Sequence, residues 1–238
     1  MTTFARPIVI KALVGSHNYN LNTPESDEDW KFFVAPTFDD LYFGKRWSGG
    51  NHSEELDYSA HDIRQLADLL WKSNLNFLEV LFSKKFETKY GYGWYLRANA
   101  DLFATMNLRA FGFATLGMHK QKMGTLHKGT EKSQKLVDAF GYDTKDAIHA
   151  YRCLLVARRV AEGMPLREAL WFEGEVRQNL LDIKAGELSE ASFMELVDLW
   201  HATYFDDVEA FYKAQEPKQE LHDELQEQTK DFIQSLLV

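Results

Sequence analysis

Residues 13–34 read Leu-Val-Gly-Ser-His-Asn-Tyr-Asn-Leu-Asn-Thr-Pro-Glu-Ser-Asp-Glu-Asp-Trp-Lys-Phe-Phe-Val. The stretch opens on the end of a short, β-branched, apolar run, residues 8–14, that stops at Gly15. That is the pattern of a buried strand running into a turn. Residues 16–26 are polar and turn-rich, with Asn18, Asn20, Asn22, Pro24 and Ser26, and residues 29–35 are mostly apolar and stop before Pro36, a second strand. The competing reading is a helix started by Thr23-Pro24, with Asp27 and Asp29 as first-turn acids favoured by the helix dipole. The run from Trp30 to Ala35 is too short for a helix, and its aromatics and valine suit a strand.

Alternate residues of a strand point to the same side, so Asp27 and Asp29 are expected to face one point in space. Hard carboxylate oxygens at such a point suit Mg²⁺, which takes one or two protein carboxylates plus substrate phosphates. Two such ions can clamp an in-line displacement at phosphorus. Gly15 lets the backbone approach a phosphate closely, and the Ser16 hydroxyl and amide can hydrogen-bond it. A lone Asp-x-Asp would mean little. Strand, Gly-Ser, polar loop, Asp-x-Asp, strand is a more specific combination.

Working outward, residues 54–59 read as a third strand, and helical periodicity takes over from Asp62, with Ile63, Leu66, Leu69 and Leu70 on one face. Beyond Asp101 the chain is helical in character over 101–118, 145–162 and 191–212, and residues 217–238 form a polar amphipathic tail helix. The expected class is α+β: a small α/β domain over residues 1–100, followed by a helical region over 101–238.

The 238 residues carry 36 Asp and Glu against 27 Lys and Arg, a net charge of −9 that disfavours broad, non-specific binding to nucleic acid or anionic lipid. Cys153 is the single cysteine, which excludes an internal disulfide and a multi-cysteine zinc site. With no signal-peptide pattern and no bilayer-length apolar run, the expectation is a cytoplasmic protein without membrane association.

Lys145, His149 and Arg152 stand at i, i+4 and i+7, one face of a helix whose other face is apolar. Three donors in a row suit a triphosphate, although a solvated face paired with acids such as Asp146 is the commoner meaning of such a pattern. A second basic segment, residues 119–135, holds Lys120, Lys122, His127, Lys128, Lys132 and Lys135, and reads as a loop because of Gly124 and Gly129. It is either a solubility feature or a steering patch for phosphate or a nucleic-acid end. Most aromatics read as core. Tyr19, in the loop after Gly15-Ser16, is the one linked here to substrate.

Gly15-Ser16, Tyr19 and Ser26-Asp27-x-Asp29 resemble the DNA polymerase β-type nucleotidyltransferase superfamily, and more narrowly the YcgL/RlaP type. The resemblance continues at Asp57-Tyr58, at Asn74-x-Asn76-Phe77-Leu78-Glu79, at Tyr142-x-x-Lys145-x-x-x-His149-x-x-Arg152 and from Leu180 to Gly186. It implies a mixed sheet with flanking helices and a Mg²⁺- or Mn²⁺-dependent transfer of NMP from an NTP. Asp27, Asp29 and a third acid would hold the metal. Asp57 is the choice for that acid, with a role in taking the proton of the attacking hydroxyl, and Glu55 is the runner-up. Gly15, Ser16, His17, Tyr19, Lys145, His149 and Arg152 would bind the nucleotide. Two positions depart from the pattern: Glu28 stands where an apolar residue is usual, so it must reach solvent or a partner, and His17 stands where the narrower family often has Arg. The acceptor is expected to be an RNA end, with AMP transfer to a protein and a non-catalytic nucleotide-binding module as alternatives. A metal-dependent phosphohydrolase is a weaker one.

Overall fold

Strand β1 (Ile8–Val14) pairs antiparallel with β2 (Asp29–Val34), and β2 pairs in parallel with β4 (Asp57–Asp62). β3 (Ser48–His52) closes one edge against β4, and the two-residue β5 (Phe86–Glu87) closes the other against β1. The result is a mixed five-stranded sheet of order β3-β4-β2-β1-β5 in a computed structural model that describes residues 6–52, 57–130 and 133–237. β1 and β2 are central and nearly all their residues are buried. Covering on both faces explains why their sequence is a continuous apolar run without clean alternation.

The two faces have different tasks. Leu13, Trp30, Phe32 and Ala60 form an apolar cluster on one face, joined at its edge by Tyr58 and Trp47. Helix α3 (Leu75–Leu81), capped by the Asn74 side chain accepting from Asn76 N–H, packs on the opposite face. There Phe33, His61 and Phe77 form a ring cluster, with centroids 5.8 and 5.1 Å apart.

The third strand differs from the expectation of residues 54–59: β4 covers Asp57–Asp62, and residues 53–56 lie outside the described residues. β3 was not legible, because Ser48-Gly49-Gly50-Asn51 has none of the residues that strands prefer. Its glycine has a tertiary reason: a Cβ at Gly50 would stand 2.8 Å from the Tyr58 carbonyl oxygen.

The described residues divide into two compact units, one from the N-terminus to Leu108 together with 216–237, the other 109–215. In the first, α12 (Gln219–Ser235) packs against α2 (Leu66–Trp71) and α4 (Gly91–Ala98). The Phe232 ring stacks on Tyr92 at 4.8 Å and the Tyr92 and Thr229 hydroxyls are 2.6 Å apart.

The second unit is built around α8 (Thr144–Ala161), whose start is fixed by Asp143 accepting from Lys145 and Asp146 N–H. α10 (Gly174–Ala185) and α11 (Glu190–Lys213) pack on its buried side, beside α6 (Leu108–Met123), α7 (Gln134–Phe140) and α9 (Leu166–Ala169). Cys153 is fully enclosed there, and burial pushes its thiol up to about 11, which makes it inert. The lysine-rich segment is not a loop throughout: α6 runs on to Met123 and carries His119, Lys120 and Lys122, while Lys132 lies outside the described residues. No helix among the described residues is long and apolar enough to cross a membrane.

Buried His119 gives this unit a pH-dependent stability. Burial first, opposed by a contact with the Ala150 carbonyl and assisted by His201, holds its imidazole down at about 4. The unfolded chain, with the ordinary value near 6.5, therefore takes the proton first. Stability is fully present above about pH 6.5 and falls as pH drops towards 4, by about 3 kcal/mol at this group. Urea unfolding at pH 7.5 and pH 5 should show a lower midpoint at pH 5, and His119→Gln should flatten that difference. Equal slopes in the two proteins would refute the assignment.

Candidate active site

The turn after β1 builds the site. Gly15 has φ +73°, the left-handed region that disfavours a side chain, and an ideal Cβ there would stand 2.5 Å from Asp29 Oδ2. Gly15 is thus required twice, by its own backbone and by the carboxylate against it. Its N–H donates to Glu79 Oε2 at 3.0 Å, so this amide ties the turn to the scaffold, and the amide and hydroxyl of Ser16 remain the donors expected to meet a phosphate. Ser16 and His17 follow in a short 3-10 turn, both partly exposed, and His17 Nε2 lies 3.4 Å from the Ser26 carbonyl oxygen. The turn is pinned from below by Asn18, whose amide donates to the Glu79 carbonyl at 2.9 Å and accepts from Lys84 N–H at 3.1 Å.

Tyr19, linked to substrate from the sequence, has its side chain fully buried in the core beneath the turn. An aromatic in a catalytic-type loop looks the same in sequence whichever way it points.

The loop of residues 20–28 forms a turn at Thr23–Ser26, with Ser26 N–H on the Thr23 carbonyl and Thr23 N–H on Ser26 Oγ, so the competing helix is absent. β2 begins at Asp29. Asp27 lies exposed two residues before it, and the shared-strand-face argument does not hold for that pair. The in-register neighbour of Asp29 is Asp57, across the parallel β2–β4 pair. Directly paired residues project from the same face, with strands about 4.8 Å apart, so these two carboxylates are the acids that the sheet itself aligns. Glu55 lies outside the described residues. Glu28 reaches a partner: it is ion-paired with Lys85, which lowers its pKa.

Two residues behind the carboxylates had no place in the sequence-derived site. Lys31 lies two positions beyond Asp29 on the same strand face and is buried; its Nζ donates to the Asn76 carbonyl at 2.5 Å and sits 4.4 Å above the Phe77 ring. Burial lowers its pKa, opposed by the negative charges of Glu79 and Asp29. Glu79, also buried, completes this cluster. The alternation Asp29, Lys31 was available in the sequence, as was Glu79 at the end of a stretch that carried the family resemblance. What was missing was the packing of α3 onto that face.

Among the described residues no three His, Cys, Asp or Glu side chains converge to hold a metal ion. The donor set nevertheless fits Mg²⁺, which is commonly held by one or two carboxylates and completes its shell with water and substrate phosphate. Asp29 and Asp57 supply such a pair, with hard oxygens only.

In the helical unit, Lys145 and His149 are exposed on α8 while Arg152, further along that face, is buried. Although His149 is exposed as a residue, nearby protein desolvates its imidazole. That desolvation, followed by the charges of Arg152, Lys122, Lys145 and Lys184, holds its imidazole well below the ordinary value. Four cations around one neutral imidazole is a stronger basic cluster than the three-residue pattern in the sequence. Lys184 comes from α10 and Lys122 from α6, where it is ion-paired with Asp146 at 2.6 Å.

A mixed sheet with flanking helices, a glycine turn backed onto an aspartate, and a second aspartate aligned on the neighbouring strand define a polymerase β-type nucleotidyltransferase fold. The chain belongs to the family described as RlaP, RNA repair pathway DNA polymerase beta family, which matches it over residues 2–236. Among curated proteins none matches it.

Proposed function

We propose that the protein transfers an NMP from an NTP to a hydroxyl or phosphate acceptor on an RNA end, with Mg²⁺ or Mn²⁺ held at Asp29 and Asp57 and Asp27 beside them. The observation that supports this best is the register Asp29↔Asp57 next to the Gly15 turn. A bound divalent ion would neutralise phosphate charge and hold the reacting groups in line. The chain's own residues would do the rest. Asp57 accepts the proton of the acceptor hydroxyl, whose oxygen bonds to the α-phosphorus as the bond to the leaving pyrophosphate breaks. The Ser16 hydroxyl offers a phosphate contact, and Lys31 and Glu79 hold the Asp29 side of the site in place. The RNA acceptor follows from the family's description together with the exposed Lys120, Lys128 and Lys135 on an otherwise acidic protein. A cytoplasmic setting suits the single buried thiol.

Incubation with each labelled NTP, Mg²⁺ or Mn²⁺, and RNAs differing in their terminal groups tests the reading. Label on an RNA terminus is the expected result. Label on protein would move the acceptor to a polypeptide, and no label anywhere would leave a nucleotide-binding module.

The cation cluster is expected to take the triphosphate. Lys145→Ala together with Lys184→Ala should raise the Kd for a non-hydrolysable NTP roughly a hundredfold or more, since each charge-assisted contact is worth about 1.5–3 kcal/mol and about 1.4 kcal/mol is tenfold. Calorimetry reads this directly, and unchanged affinity would return the cluster to a solvated surface. Binding of a short RNA should weaken steeply with salt, and Lys128→Glu with Lys135→Glu should flatten that slope while NTP affinity stays the same. A slope that the reversals do not change would exclude these lysines from the RNA contact.

A further inference from the structure

The helical unit holds a half-open cavity of about 570 Å³ between α6 and α11. That volume lies within the range of pockets that take small ligands. Its walls are apolar and ring-rich: Phe113, Leu116 and Met123 from α6, Phe205 and Tyr212 from α11. The α11 rings are held in place by the protein itself. Phe205 stacks on His201 at 5.1 Å, and the Tyr212 hydroxyl donates to the Ala157 carbonyl at 2.7 Å. Phe113, by contrast, is more than half exposed.

The polar groups of the lining have a defined sense. His119 Nδ1 lies 3.1 Å from the Ala150 carbonyl oxygen, which only accepts, so that nitrogen carries the hydrogen. His119 Nε2 is then an acceptor, and His201 Nε2–H donates to it at 3.1 Å. His201 is left with Nδ1 as an acceptor. At the rim, Lys213 is ion-paired with Glu209 at 2.7 Å, whereas exposed Lys120 makes no ion pair among the described residues.

Two glycines of α6 line the cavity, and only one is explained by packing. A Cβ at Gly112 would stand 2.2 Å from the Tyr212 ring, so helix contact requires glycine there. A Cβ at Gly117 would meet nothing within 4 Å. A glycine inside a helix costs about 1 kcal/mol relative to alanine. The missing side chain at Gly117 relieves no clash; it leaves the mouth of the cavity open.

We propose that this cavity binds a nucleobase with its attached phosphate, the base stacking between Phe113 and Phe205 above the buried Tyr212 and the phosphate meeting Lys120. The inference rests on the nucleotide-transfer reading and adds to it a nucleotide site whose walls come from the helical unit. Aromatic walls stack any base on its face, worth about 1–3 kcal/mol per base, and a cation at the mouth suits the phosphate. A purely aliphatic ligand would use neither Lys120 nor the histidine pair. The base belongs either to a free nucleotide or to the terminal residue of an RNA, and the two are separable by experiment.

Calorimetric titration of the full chain in EDTA, which suppresses metal-dependent binding at the carboxylates, tests the site with AMP, ribose 5-phosphate and a five-nucleotide RNA. AMP or the RNA should bind at least tenfold more tightly than ribose 5-phosphate. Gly117→Leu, which meets open space and a better helix propensity, should weaken that binding at least tenfold while its thermal midpoint stays at or above that of the wild type. Lys120→Glu, at an exposed position, should weaken it too, and carries the test by itself if Gly117→Leu does not fold. Losses seen with AMP assign a free nucleotide; losses seen only with RNA assign a terminal one. Equal binding of AMP, RNA and ribose 5-phosphate, or binding of AMP and RNA that neither variant changes, overturns the proposal. Normal nucleotide transfer beside that second result would leave the transfer reading standing. Base-dependent binding here in a chain that transfers nothing would do the reverse.

Discussion

Asp29→Asn is expected to lower nucleotidyl transfer by about three orders of magnitude or more, with the fold intact. Transfer at phosphorus depends on positioning and charge neutralisation more than on covalent chemistry by the protein, so losing a carboxylate at the reacting phosphate removes the main source of rate. Asparagine has the same shape and keeps the contact with Gly15, so the circular dichroism spectrum and thermal midpoint should change little. Asp57→Asn should be as damaging, because it is the in-register partner of Asp29 on the same sheet face. Its loss should appear in kcat more than in nucleotide affinity, as fits a group that takes a proton in the transition state. Asp27→Asn makes the informative comparison. Asp27 lies exposed and outside the strand, so its effect measures how far the loop carries it towards the phosphate. Near-normal kcat in Asp29→Asn, in buffer replete with Mg²⁺ and Mn²⁺, would remove this pair from the chemistry.

Gly15→Ala should be nearly as damaging to activity by a different route. Alanine is strained at φ +73°, at a cost of about 1–2 kcal/mol, and its methyl group would occupy space 2.5 Å from Asp29 Oδ2. Either the turn or the carboxylate must move. A displacement of about 1 Å at a reacting group can cost on the order of a hundredfold in rate. The signature that separates this variant from Asp29→Asn is a loss of stability alongside the loss of kcat, read by urea unfolding and single-turnover kinetics on one preparation. A Gly15→Ala protein with normal stability and normal kcat would mean that the glycine turn does not position Asp29.

Much of the first unit was legible because its determinants are local. The β-branched run before Gly15 and the aromatic run from Trp30 form strands, since both are short, apolar and bounded by turn residues or Pro36. The long helices α8 and α11 follow from their apolar periodicity, as does the tail helix α12, and Glu28 reached a partner as its place beside the strand required. The sequence did not show the burial of Tyr19, the glycine strand β3 or the return of α12 to the sheet-bearing unit. Each of these is decided by what packs against the segment from far along the chain.

The sequence by itself determined the family, the α+β class, and that a glycine turn leads by a polar loop to aspartates at a strand. Those are properties of short-range pattern, set by backbone sterics at Gly15 and by the periods of strand and helix. Only the tertiary structure decided which acids stand together. Strand register aligned Asp29 with Asp57, α3 brought Glu79 and the Asn76 carbonyl to Lys31, and three helices gathered Lys122, Lys145, Arg152 and Lys184 around His149. Register and helix packing are fixed by contacts between residues distant in the chain, and no local window carries them.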